Sequence, residues 1–206
     1  NNSLSGVFTR PTDPKEFLHL IRGALPYTET VCLLIGERDE YGQNGEKYTE
    51  EQAAVANCFR RAGSKVLFHY WSESDPRTVE LQKKADQSNV FILFSEPAST
   101  INMPVLRGIA REYQVLIAAS DLDAVLEGAA IGAGVSGAAF SAPLMSLILD
   151  VVLCRRNRLS PPICIPQQPV MRYCYRNMRE QGLELTDEQY AMLRARTIEG
   201  SDDTKY

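Results

Sequence analysis

Histidine and tryptophan are scarce in this chain, with two of the first and one of the second among 206 residues. His19 falls in a helical pattern and His69 inside an apolar run. Neither stands in a loop at a strand end, where an imidazole general base would meet a substrate. Five cysteines are present, but no pair has CxxC spacing, so a zinc site is not expected. The sequence has no GxSxG elbow and no GxxxxGKS/T loop, which removes an α/β-hydrolase nucleophile and a P-loop. Gly132-Ala133-Gly134 with Gly137 spells GxGxxG. It lacks a full βαβ unit after it, and tight packing of small residues is the simpler reading.

No apolar run reaches the ~18 residues of a membrane span. The longest candidate, Leu144 to Leu153, is interrupted by Ser146 and Asp150. Excess positive charge is missing too. The net charge is -4, so the chain is not expected to bind nucleic acid, which takes many Lys and Arg to neutralise phosphates. Its one basic cluster, Arg155, Arg156 and Arg158, reads as a helix C-terminus complementing its dipole. Asn1-Asn2-Ser3 carries no Met and no signal-peptide pattern, as expected of a processed or truncated product. An odd cysteine count sits awkwardly in an exported protein.

What is there is an alternation of periods. Pro14 to Leu25 places Phe17, Leu18, Leu20, Ile21 and Leu25 on one helical stripe behind Asp13 as N-cap. Val31 to Ile35 is a short continuous apolar run, the mark of a strand buried on both faces. Thr49 and Gln52 have capping-box spacing ahead of a helix to Ala62, and Gly63 stops it. The pattern repeats. Strands are predicted at Val66 to Trp71, Val90 to Phe94, Val115 to Ala119 and Ala129 to Val135. Helices are predicted from Asp75-Pro76 to Asp86, Pro104 to Tyr113, Asp121 to Glu127 and Ser141 to Arg156. Such repetition implies an α/β fold: a parallel sheet with helices on both faces. After Arg158, four prolines interrupt the chain, followed by one more strand pattern at Val170 to Tyr175 and helices at Asn177 to Glu180 and Thr186 to Arg196. The expected organisation is an α/β ligand-binding lobe over 1–160 and a return segment with C-terminal helices over 161–206.

Ligands of open parallel sheets bind outside the carboxyl ends of the strands. The strand-end candidates are Asp39, Tyr41, Ser74, Ser95, Glu96, Ser99, Ser120 and Asp121. Carboxylates and hydroxyls of this kind suit a small polar ligand bearing an amine, and Tyr41 offers an apolar face with a polar tip. Taken singly, Asp75 and Asp121 are as readily explained as helix caps. Their convergence on one edge is what makes a site of them.

Several segments resemble the ABC-transporter substrate-binding protein family, of the periplasmic binding protein type I-like kind, in the group that includes aromatic-amino-acid-binding lipoproteins. Leu4-Ser5-Gly6-Val7, a helix, then Ala24-Leu25-Pro26 is similar to the crossover into that family's second lobe. Ala119-Ser120-Asp121, Val125, Gly128-Ala129 and Gly134-Val135 fall without a gap on its motif, and Met171 to Arg196, with Gly182-Leu183, resembles its ending. The resemblance implies a flavodoxin-like second lobe plus return segment, the first lobe not being represented. It implies binding without catalysis, cofactor or metal. The implied partners are a small-molecule ligand, an amino acid among the candidates, and an ABC permease; a homodimer is compatible with it. The implied setting is periplasmic or membrane-anchored and extracytoplasmic, a cytoplasmic one being kept open by the cysteines. A signalling or protein-interaction domain of the same fold is the alternative. The chain departs from the family at Glu96-Pro97-Ala98, where the family reads Asp-Asn-Thr, and at Ser136-Gly137-Ala138, where it reads Asp-Tyr-Tyr. Ligand identity does not carry across those changes.

Overall fold

The computed structural model describes residues 6–9, 13–36, 49–71, 78–94, 102–134, 141, 144–146, 148–149, 152–153, 164–167 and 170–196. Six strands form the main sheet: β2 (Thr30–Gly36), β3 (Lys65–Trp71), β4 (Val90–Leu93), β5 (Leu116–Ala119), β6 (Ile131–Gly134) and β8 (Val170–Tyr173), in the order β3-β2-β4-β5-β6-β8. The first five run parallel. β8 is antiparallel to β6, with Ile131 opposite Tyr173. The sheet is therefore mixed at one edge, where the sequence alone suggested parallel strands throughout. A second, two-stranded sheet pairs β1 (Gly6–Thr9) with β7 (Cys164–Gln167) in parallel. That pair was not anticipated, because each strand is four residues long and β7 contains Pro166, which ordinarily argues against a strand.

Alternation along the strands explains the layers. Val31, Leu33 and Ile35 point to one face and pack with Phe17, Leu20 and Ile21 of α1 (Pro14–Ala24) and with Val55 and Phe59 of α2 (Glu50–Arg61). Cys32 and Leu34 point to the other, against Leu81 of α3 (Thr78–Ala85) and Leu106 and Ile109 of α4 (Met103–Tyr113). Fully burying each of these side chains contributes about 1.5–3 kcal/mol. Burial also fixes the chemistry of Cys32: desolvation pushes its thiol up to about 12, against the nearby positive charge of Lys84.

The helix starts are made as their sequences dictate. Asp13 Oδ1 accepts from Lys15 N–H at 2.9 Å. Thr49 and Gln52 close a reciprocal capping box, and Thr186 and Gln189 close another. The short helix α5 (Ala124–Glu127) begins at Asp123, which makes no side-chain cap bond. α3 is described from Thr78, so its expected opening at Asp75-Pro76 lies outside the described residues.

The C-terminal helices α6 (Tyr175–Glu180) and α7 (Asp187–Arg196) lock onto this body. Leu193 of α7 sits against Gly23 of α1, where an added Cβ would meet Leu193 Cδ2 at 3.1 Å. Asn177 Nδ2 donates to the carbonyls of Val125 and Ala129, both at 2.8 Å. Gln181 is almost fully buried. Its Oε1 accepts from Ile117 N–H at 3.0 Å and its Nε2 donates to the Gly128 carbonyl at 2.9 Å. One amide thus satisfies a β5 donor and the acceptor that ends α5. Gln181→Leu strands both, and each buried unpaired group costs about 1–3 kcal/mol. The expected loss is about 2–4 kcal/mol, read in urea as a lower midpoint at unchanged slope.

Candidate functional site

β3 and β4 lie on opposite sides of β2, so the connections leaving β2 and β4 diverge. An order of this type opens a crevice at the carboxyl ends, between the strands where the winding reverses. The carboxyl edge here is marked by Gly36, Trp71, Leu93, Ala119 and Gly134.

Of the eight residues expected on this rim, Ser120 and Asp121 fall among the described residues. Asp39, Tyr41, Ser74, Ser95, Glu96 and Ser99 lie outside them. Ser120 follows β5, and its N–H donates to the Leu93 carbonyl at 2.9 Å, so it stands directly beside the end of β4. Its Oγ is buried and has no well-aligned hydrogen-bond partner among the described residues. Asp121 is partly exposed, and its Oδ1 accepts from Asp123 N–H at 3.0 Å. That bond shapes the turn into α5, whose N-cap position is held by Asp123 and not by Asp121.

Two glycines hold this turn in place. A Cβ on Gly132 would lie 2.6 Å from Val125 Cγ2 and 2.9 Å from the Asp121 carbonyl oxygen, and one on Gly134 would lie 3.2 Å from the Ser120 carbonyl oxygen. The Gly-Ala-Gly of β6 therefore allows the 120–122 backbone to lie against the strand. This is the close-packing explanation of the GxG pattern, in place of a dinucleotide loop.

Sequence reading missed Glu51. It belongs to the first turn of α2, is half-buried, and interacts with the Ser120 hydroxyl. Burial raises its carboxyl above the usual carboxylate range, and the nearby Ser120 hydroxyl opposes that rise. The signal was present, because a helix that follows β2 in this topology starts at the rim. A Glu behind a capping Thr nevertheless reads first as a favourable charge on the helix dipole. Thr49, Glu51 and Ser120 thus bring an acid and hydroxyls to the carboxyl edge from two separate elements.

Elsewhere, an open groove of about 580 Å³ lies at the amino ends of β2 and β3, lined by Arg22, Tyr27, Glu29, Thr30, Gly63 and Lys65. Arg22 there donates to the Ala62 carbonyl at 2.6 Å, capping α2. Among the described residues no three His, Cys, Asp or Glu side chains are grouped to hold a metal ion. No described helix is long and apolar enough to cross a membrane.

No protein-family model matches the chain, and no curated sequence does. Solved structures do match in fold. A conserved domain protein from Vibrio cholerae superposes with a TM-score of 0.71 at 12% identity, over 96% of this chain and 62% of that one. A Streptococcus pneumoniae structure described as an ABC domain in complex with L-Trp gives 0.68 at 10% identity, with the same coverage. A LacI-family transcriptional regulator from Arthrobacter, in complex with lactose, gives 0.57 at 9% identity over 81% of this chain and 64% of that one. The likeness to these three is one of fold, and this chain spans less than two thirds of the length of each of them.

The direction of the Glu51 shift has a consequence for stability. A carboxyl whose folded value is raised binds its proton more tightly folded than unfolded, so it favours folding at low pH and loses that contribution as pH rises through the folded value. Glu51→Gln carries no charge at any pH. It is expected to be more stable than the parent at pH 7, with the difference closing as pH falls to about 4, as read by denaturant unfolding at the two pH values. A gap that stays constant between them means that the effect is not ionic.

Proposed function

We propose that the chain binds a small polar ligand carrying an amine at the carboxyl rim, and that it is the solute-binding component, or a lobe of one, of an ABC-type transport system. The observation that carries this reading is the half-buried Glu51 carboxyl facing the buried Ser120 hydroxyl at the edge where a sheet of this winding opens. An acid kept partly out of water is a poor place for a free charge and a good one for a charge met by an ammonium group. Glu96 and Asp121 provide further acceptors for the ammonium in this reading, and Ser74, Ser95, Ser99 and Ser120 supply hydroxyls for a carboxylate or carbonyl. Asp39 and Tyr41 lie behind them. The division into a lobe over 1–160 and a return segment over 161–206 belongs to the same proposal, as does an extracytoplasmic setting. The role is binding and not catalysis: the ligand shifts the protein between open and closed states through contacts that one state lacks.

The L-Trp complex among the structural matches supports an amino acid as ligand class. The lactose-bound regulator supports a second reading, a sensing or interaction domain that passes ligand occupancy to a signalling partner. A permease and an ATPase encoded beside the gene favour transport, whereas a fused or adjacent signalling domain favours sensing.

A thermal-shift series tests the ligand. Amino acids are compared with the matching 2-hydroxy acids, which lack only the ammonium group. A ligand at 100 times its dissociation constant is expected to stabilise the chain by about 2.7 kcal/mol. The hydroxy acid gives no shift, Glu51→Gln removes the shift, and affinity rises with pH as Glu51 ionises. Equal shifts from the amino acid and the hydroxy acid would overturn the amine reading.

A further inference from the structure

β3 ends the main sheet. Among the described residues its one strand partner is β2. In that parallel pair the Lys65 N–H donates to the Glu29 carbonyl at 2.7 Å. Residues 65, 67, 69 and 71 therefore turn their backbone groups toward β2, and residues 66, 68 and 70 turn theirs away from it. The run Val66-Leu67-Phe68-His69-Tyr70-Trp71 holds neither proline nor glycine and no formal charge. An apolar strand of this length at a sheet edge is a template for pairing with another chain.

Two cations meet the middle of this edge, one from each layer. Lys84 of α3 donates from Nζ to the Phe68 carbonyl, one of the groups that face away from β2. The Lys84 side chain is 25% exposed, and its Nζ lies 3.8 Å from Glu80 Oε1. From the other face, Arg60 of α2 sets its guanidinium carbon 5.5 Å from the centre of the Phe68 ring. α3 packs on the Cys32 side of the sheet and α2 on the Val31 side, so the two charges straddle the strand.

We propose that Lys84 is the gatekeeper of this edge, closing β3 to strand addition by a second copy of the chain. An incoming strand needs the Phe68 carbonyl as an acceptor and must first displace the ammonium group from it. A hydrogen bond from a charged donor is held more firmly than one from the neutral amide that would replace it. A β3 strand arriving about a two-fold axis at Phe68 also brings its own Lys84 and Arg60 to the same place, and like charges oppose the pairing. Charged side chains, lysine above all, are how sheet edges are ordinarily kept from joining. Gatekeeping at this edge is independent of the ligand reading, so either can fail without the other.

Sedimentation velocity on the 206-residue chain compares Lys84→Met with Lys83→Met. Both remove one positive charge from α3, but Lys83 is exposed to solvent. Lys84→Met is expected to self-associate about 10- to 100-fold more tightly than the parent. Its β3 amides gain protection from hydrogen exchange as the concentration rises. Lys84→Ala, which keeps the helix and shortens the side chain, behaves in the same way. Lys83→Met and Lys84→Arg sediment as the parent does, and circular dichroism shows every variant folded. Folded Lys84→Met and Lys84→Ala variants that associate no more than the parent would overturn the assignment. Equal gains in Lys84→Met and Lys83→Met, which trace to net charge, would do the same, as would association that leaves the β3 amides unprotected.

Discussion

The constraint on which everything else rests is that a parallel sheet has to be buried on both faces. Val31, Leu33 and Ile35 need cover on one side and Cys32 and Leu34 on the other, and α1 and α2 supply the first and α3 and α4 the second. Once both faces are sealed, a small molecule has access only along the edges where strands end. Polar side chains gather there, since the connections at that edge are the part of the fold not committed to the core.

This restriction also explains which parts of the molecule were legible in the sequence. Runs such as Val31 to Ile35 and Val90 to Phe94, and boxes such as Thr49/Gln52 and Thr186/Gln189, are local signals, and the structure contains each of them. Strand order is not local. Nothing in the composition of β2 announces that β3 and β4 lie on opposite sides of it, or that β8 returns antiparallel. The β1–β7 pair was invisible for a related reason: four-residue strands, one holding a proline, fall below what periodicity resolves. Glu51 was hidden differently. Its position one turn into a capped helix has a sufficient explanation in the helix dipole, and only the approach of Ser120 from another strand gives it a second role.

Holding the rim in place is the work of residues with no polar appearance in the sequence and of two amides far along the chain. Gly132 and Gly134 let the 120–122 turn rest against β6. Asn177 and Gln181, carried by α6 and the turn after it, bind the backbone of the same region from outside. The last quarter of the chain is thus connected to the geometry at Ser120 through hydrogen bonds to carbonyls and an amide N–H, contacts that place no demand on side-chain identity in the α5–β6 turn. The ion pair of Glu180 with Arg107 adds a weaker, salt-sensitive tie between α4 and α6, and Arg176 pairs with the same carboxylate within α6.

Cys32 bears on the thiol chemistry open to such a protein. Disulfide exchange and oxidation proceed through the thiolate. With its thiol pushed up to about 12 by burial, little of that thiolate forms near neutral pH. The sulfur is also sealed beneath α3 and α4. Burial and the raised thiol together make Cys32 a poor partner for disulfide exchange, whatever the other cysteines do.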